Sequence, residues 1–118
     1  MATAPQAFDL AIPANQVRQE AVRQLTKLAA DAGLPLTHLA TAFVRFHPAV
    51  TSVLIGPRTP GQLDDLLAGA DVELSGDVLD RIDEIVPPGT EINPADNYLA
   101  AHPALGDKRL RRRWPGRA

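Results

Sequence analysis

The segment Val50–Ile55 constrains the fold more than any other part of this chain. Its six residues read VTSVLI, and an almost continuously apolar, β-branched run of this kind is typical of a strand covered on both faces, as in a parallel sheet. A parallel strand needs hydrogen-bonded neighbours, because a single strand cannot form a stable sheet. No second segment of the 118 residues predicts a strand equally well, so the neighbours of this strand have to be accounted for.

Two amphipathic helices are predicted before the strand. The first has Asn15 as its N-cap and stops at Gly33, and the second has Thr37 as its N-cap and stops at His47-Pro48. The positions expected to face inward are Val17, Ala21, Leu25, Leu28, Ala29 and Ala32 in the first helix, and Leu39, Ala40, Phe43 and Val44 in the second.

Two further helices are predicted after the strand. Thr59 and Gln62 fit a capping box, in which each side chain bonds the backbone amide of the other residue, and Pro60 suits the first helical position. Ser75 is the expected N-cap of the last helix, which the PPG sequence at 87–89 stops. The expected buried positions are Leu63, Leu66, Leu67 and Ala70 in the third helix, and Val78, Leu79, Ile82, Ile85 and Val86 in the fourth.

Composition excludes several classes of protein. The chain has no cysteine, which rules out a disulfide framework, thiol catalysis and cysteine-ligated zinc. No stretch approaches the roughly 18 apolar residues of a membrane span. Residues 1–13 lack the basic region of a secretory signal and are expected to form an extended leader. The sequence therefore predicts a cytoplasmic protein that does not enter a membrane.

The charges are unevenly distributed along the chain. Residues 107–118 hold six of the twelve basic residues and one acidic residue, so the remainder carries six basic and thirteen acidic residues, a balance of −7. We expect residues 87–118 to form an irregular, proline-containing tail with at most a short helix near Arg109–Arg113. Its basic end either binds an acidic partner or nucleic acid, or else folds back on the acidic body or stays solvated. Composition favours the latter pair of outcomes.

The turn after the strand has the chemistry of a phosphate site. Gly56 ends the strand, and Arg58 stands just before a well-capped helix N-terminus. Free backbone amides and the helix dipole favour an anion, an arginine can bind it through two hydrogen bonds, and Gln62 can bond a base or ribose. From spacing alone, the favoured interpretation is a plain strand-to-helix turn with a solvated arginine.

The sequence GLPLTHLATAFVRFHPAVTSVLIGPRTPGQLDDLLAGADVELSGDVLDRIDEIVPPGT resembles the C-terminal part of the aldo/keto reductases. The resemblance covers roughly Phe8–Thr90 and is most specific in 47–67. It implies an α/β fold in which residues 14–86 are the C-terminal fragment of a TIM-type (β/α)8 barrel, mostly helical with the one recognisable strand Val50–Ile55. It also implies an oxidoreductase that binds NADP(H) in extended form, of which this chain keeps a partial site.

The resemblance assigns cofactor contacts to six positions. It implies backbone contacts from Ile55, Gly56 and Pro57, and it places Arg58 near the 2′-phosphate. Two side chains would lie near the adenosine, namely those of Gln62 and Asp65. One departure weakens the site, because Leu66 stands where members of the family commonly have an asparagine that contacts adenine.

No residue of this chain matches the family's catalytic motifs. The one tyrosine, Tyr98, lies in the tail, and Lys27 lies on the polar face of a long helix. His38 and His47 are expected at surface or boundary positions, so we assign no catalytic residue and no metal ligand. The chain alone is therefore expected to be inactive, with either a complementary barrel half or a second copy of itself pairing with the exposed strand edge.

The sequence LTKLAADAGLPLTHLATAFVRF supports a second interpretation of the function. Its spacing, with Gly33 four residues after Ala29 and a second helix from Thr37, resembles a helix-turn-helix. The recognition helix would offer only Thr37, His38, Thr41 and Arg45 to a groove, and the acidic body repels phosphate. Nucleic-acid binding is thus the alternative function, together with a small, non-catalytic helical interaction module.

Overall fold

The computed structural model describes residues 9–89 and 102–112. Helices are the only regular elements within these ranges, and no strand occurs there. They are α1 (Pro13–Asp31), α2 (Leu36–Phe46), α3 (Pro60–Ala68), α4 (Gly76–Ile85), α5 (Pro103–Gly106) and α6 (Lys108–Arg111).

The core lies between α1, α2 and α4. These helices pack in two pairs, α1 on α4 and α1 on α2, whereas α3 contacts α2 and contributes no buried residue. The buried side chains of this core are all aliphatic, as the scarcity of aromatic residues in the sequence leads one to expect, and the partly buried Phe46 packs against them. Its buried members are Leu28, Ala29, Leu39, Ala42, Leu74, Leu79 and Ile82.

The stop of α1 at Gly33 is confirmed. Gly33 has a φ of 72°, and its amide donates to the Ala30 carbonyl while the amide of Leu34 donates to that of Ala29. These two bonds form a Schellman motif, and Leu34 packs against the core beside it. The predicted start was wrong: α1 begins at Pro13, and Asn15 lies buried in its first turn.

The stop of α2 is also confirmed, but its predicted cap and buried face are not. The helix ends at Phe46 with His47 as C-cap, as expected before a proline. Pro35, not Thr37, is the N-cap. The buried face contains Leu39 but otherwise differs from the predicted one: Ala42 and His38 are buried, whereas the predicted Ala40, Phe43 and Val44 are exposed.

The predicted strand Val50–Ile55 is wrong for this chain on its own. Residues 52–57 have no regular secondary structure, and Leu54 is 97% exposed. Within the described ranges, the backbone groups of residues 51–57 make no backbone hydrogen bond. The physical reason is the absence of a neighbour there, since a strand exists only when another strand pairs with it.

Local signals placed α3 and α4 correctly, whereas the expected packing of α3 was wrong. Thr59 and Ser75 are the N-caps, and each side-chain oxygen accepts a backbone N–H three residues later, at 3.2 Å and 3.3 Å. The apolar face of α4 is buried as predicted, around Leu79 and Ile82. That of α3 is not buried, since Leu63 and Leu67 are exposed and Leu66 is only half-buried.

The described part of the tail folds back on the helices, and it contains two short helices, α5 and α6, where only one near Arg109 was predicted. The imidazole Nδ1 of His47 accepts the amide of Ala49 at 3.1 Å, which leaves its Nε2–H to donate to the carbonyl of Ala104 in α5 at 2.9 Å. Helix α6 lies at the predicted position near Arg109 and is held by α4. Residues 1–8 and 90–101, and with them Tyr98, lie outside the described residues.

Candidate functional site

The predicted cofactor residues 55–58 form an exposed turn that leads into α3. Ile55, Gly56 and Arg58 are exposed, and Pro57 is half-buried. A Cβ atom built on Gly56 would meet nothing within 4 Å, so the backbone is open to close approach there. No described carboxylate forms an ion pair with the Arg58 guanidinium, which leaves its charge available to a ligand.

The first turn of α3 adds further donors at the same place. Gln62 Oε1 accepts the amide of Arg58 at 2.8 Å, so the reciprocal bond to Thr59 predicted from the capping box was wrong. This bond fixes the backbone of Arg58 against the helix. Among the described residues, the amides of Thr59 and Gly61 have no partner, and Pro60 has no N–H. Uncommitted donors and a positive charge therefore meet at a helix N-terminus, which suits an anion.

The Asp65 side chain forms contacts within the chain, whereas the resemblance placed it near the adenosine. Its Oδ2 accepts the hydroxyl of Thr37 at 3.1 Å, and its Oδ1 lies 3.5 Å from Nε2 of His38. Both partners belong to α2, so the carboxylate is used between two helices. The structure therefore brings Ile55, Gly56, Pro57, Arg58 and Gln62 into one turn and places Asp65 against α2.

His38 is the residue at this site that sequence reasoning missed. It was expected at a surface or boundary, yet only 9% of it is exposed. Its Nε2 lies 2.7 Å from the carbonyl oxygen of Asp65, and Gly69 lies against the ring. The contact joins residues 27 apart, which no local pattern reveals. The only available signal was a small residue, Gly69, at the end of a predicted helix.

A second charged cluster joins α4 to the tail. Asp83 accepts hydrogen bonds from both terminal nitrogens of Arg111, at 3.0 Å and 2.7 Å, and one from a terminal nitrogen of Arg112 at 2.6 Å. Asp80 bonds Lys108 at 2.9 Å and Arg112 at 2.8 Å. Hydrogen bonds from Lys108 and then Arg112 hold the pKa of the Asp80 carboxyl below its usual value. Three basic residues of the described tail, Lys108, Arg111 and Arg112, thus pair with carboxylates of the acidic body.

The residues on which the helix-turn-helix interpretation depended form hydrogen bonds within the chain. Thr37 and His38 bond Asp65, and the Thr41 hydroxyl donates to the carbonyl of Thr37 at 2.9 Å. Arg45 donates to the carbonyl of Val72. Since a recognition helix needs free side chains to read base edges, α2 offers little to a groove.

Comparison with known families identifies the group to which the chain belongs. Residues 3–87 match the model of the Aldo/keto reductase family, which is more than half of the chain. The chain therefore belongs to the aldo/keto reductase family, a family of oxidoreductases. Searches of curated proteins and of solved structures found no match.

Two further observations bear on the class of protein. None of the described helices is both long and apolar enough to cross a bilayer. Lys27 is exposed on α1, and no cluster of three or more His, Asp or Glu side chains suited to a metal occurs in residues 9–89 and 102–112. The cytoplasmic location stays a prediction.

Proposed function

We propose that this chain forms the part of an NADP(H)-dependent aldo/keto reductase barrel that binds the adenosine 2′-phosphate end of the cofactor. The observation that carries the proposal is the group of uncommitted donors at residues 56–62, within the segment that matches the family. The Arg58 guanidinium would pair with the phosphate, and the amides of Thr59 and Gly61 would bond its oxygens.

The nicotinamide of such a cofactor supplies the hydride chemistry, while the protein supplies binding and orientation. Gly56 would let the backbone lie close to the nucleotide, and Ile55 and Pro57 would contribute backbone contacts. The Gln62 side chain would keep its NH₂ group for the adenosine, because its oxygen is bonded to the amide of Arg58. Since we assign no catalytic residue to this chain, we propose that it does not transfer hydride alone.

Arg58→Met should abolish preferential binding of the 2′-phosphate. We expect 2′,5′-ADP to shift the amide NMR signals of Gly56, Thr59 and Gly61 in the full chain, and 5′-AMP to shift them less. Loss of the arginine should weaken 2′,5′-ADP by about tenfold or more, since a charge-assisted hydrogen bond contributes about 1.5–3 kcal/mol.

Arg81→Met is the matched control, because Arg81 is an exposed arginine on α4 whose nearest carboxylate, that of Asp31, is 3.9 Å away. This variant should bind 2′,5′-ADP as the wild type does. Equal binding of 2′,5′-ADP and 5′-AMP, or equal loss in both variants, would contradict the proposed site.

The unpaired segment 51–57 also implies a partner, and we propose that it pairs with a β-strand of another polypeptide. Its backbone donors and acceptors have no partner in the described chain, and it contains no charged residue to oppose pairing. The strand would come from a complementary part of the barrel or from a second copy of this chain. Phe43, Val44, Leu63 and Leu67, on the adjacent helices, would be covered in the same event.

Leu54→Lys should prevent self-association if a second copy supplies the strand. We expect the wild type to show a rising mass in light scattering and slower amide exchange at residues 51–57 as its concentration increases. A lysine on the edge should abolish both effects. Leu105→Lys is the control, because Leu105 is exposed on α5, outside the segment. A wild type that stays monomeric with fast exchange at 51–57 would exclude the second copy and leave the complementary barrel part as partner.

A further inference from the structure

Helix α3 carries the proposed phosphate site at its first turn, yet apolar packing does not hold it in place. None of its residues is buried, and its leucines Leu63 and Leu67 are exposed. Helices α1, α2 and α4 share the aliphatic core, whereas α3 packs mainly on α2. The position of the site therefore depends largely on the contacts that join α3 to α2.

The described contacts between α2 and α3 include a small polar cluster. The Thr37 hydroxyl donates to Asp65 Oδ2 at 3.1 Å, and His38 Nε2 lies 2.7 Å from the Asp65 carbonyl oxygen. A carbonyl oxygen only accepts, so the proton of the neutral imidazole lies on Nε2. The same nitrogen lies 3.5 Å from Asp65 Oδ1.

The imidazole is also tightly enclosed by the end of α3. A Cβ atom on Gly69 would lie 2.5 Å from Cδ2 and 2.6 Å from Cγ of the ring, closer than atoms can approach. Gly69 has a φ of −89°, which any residue adopts, so the glycine is required there for space and not for conformation. The ring thus packs against α3 at Gly69 and bonds it at Asp65.

From this arrangement we propose that His38 is a positioning residue for the 2′-phosphate site. It fixes the C-terminal half of α3. Because the helix is a rigid element about 13 Å long, the contact also fixes where Arg58 and Gln62 lie at its other end. Asp65 accordingly serves the helix contact and not the adenosine. The inference rests on the proposed function, because it assigns His38 a role toward that same site.

The test compares His38→Ala with His38→Gln in the full chain. Glutamine retains an N–H near the place of Nε2, so it should keep the bond to the Asp65 carbonyl, which alanine cannot make. We expect His38→Ala to weaken 2′,5′-ADP by about tenfold and His38→Gln to restore binding to within about threefold of the wild type. His102→Ala, which removes a histidine that caps α5, should leave binding unchanged.

Two readouts separate this inference from the proposed function. Amide exchange at 66–69 should be about tenfold faster in His38→Ala, with α1 and α4 unchanged, whether or not the nucleotide binds. The imidazole ¹⁵N spectrum should show the proton on Nε2. Unchanged exchange of α3, a proton on Nδ1, or a glutamine variant as weak as alanine would overturn the role of His38. If exchange at 66–69 is faster in His38→Ala as expected, but the wild type binds 2′,5′-ADP no better than 5′-AMP, the phosphate site is refuted and the helix contact of His38 stands.

Discussion

Leu28→Ala is expected to lower the free energy of unfolding by about 2–5 kcal/mol. Leu28 is 2% exposed and lies on α1 in the cluster shared with α2 and α4, so its removal leaves a cavity that three helices cannot easily close. Urea denaturation followed by far-UV circular dichroism measures the difference.

Leu54→Ala is the matched control for this change. The same side chain is removed at a position that is 97% exposed, so the free energy of unfolding should change by less than about 0.5 kcal/mol. Similar losses in the two variants would mean that the helices α1, α2 and α4 do not form the core of the isolated chain. The pair therefore tests directly which apolar residues this chain buries by itself.

The second large effect is expected from Asp83→Asn. Asp83 accepts three hydrogen bonds from Arg111 and Arg112, whose side chains are mostly buried. Their Nε–H groups already have no partner among the described residues. Arg112 keeps Asp80 as a partner, but Arg111 would stay mostly buried without a counter-charge. That is costly, so residues 108–112 should leave the surface of α4. Their amide exchange should become about tenfold faster or more, with α1 unchanged.

Asp77→Asn on the same helix is the control, since no described cation forms an ion pair with Asp77.

Lowering the pH should release residues 108–112 from α4, as Asp83→Asn does. The pKa of Asp80 is lower in the folded chain than in the unfolded one, because Lys108 and Arg112 bond its charged form. Its contribution is therefore complete above about pH 4 and declines as the pH falls through the folded-state value. Protection of the tail that does not decline as the pH falls below about 4, or that is unchanged in Asp83→Asn, would contradict this account.

The tail also shows how charge patterning can be read. Residues 107–118 are a basic run attached to an acidic body, and composition alone favoured a tail that folds back or stays solvated over one that binds nucleic acid. The structure names the acceptors, Asp80 and Asp83, which no local rule distinguishes from the other acidic residues of α4. Both lie on one side of the helix, three residues apart, where they can be reached together.

Features that depend on a few neighbouring residues could be predicted from the sequence. Examples are the glycine stop at Gly33, the end of α2 before Pro48, and the N-caps Thr59 and Ser75. Each is fixed by backbone geometry or by a hydrogen bond spanning three residues. The turn at 56–62 was predicted for the same reason, apart from the donor to Gln62 Oε1, which is the amide of Arg58 and not that of Thr59.

What the sequence by itself determined is therefore the order of α1 to α4, most of their ends, and the family to which the chain belongs. Only the tertiary structure decided that Val50–Ile55 forms no strand here, that α2 buries Ala42 and His38 instead of Phe43 and Val44, and that Asp65 is bonded to α2. The physical reason is that the local sequence of a β-branched segment or an apolar face determines only what kind of partner it can pack or pair with. Whether a partner is within reach depends on residues far away in the chain.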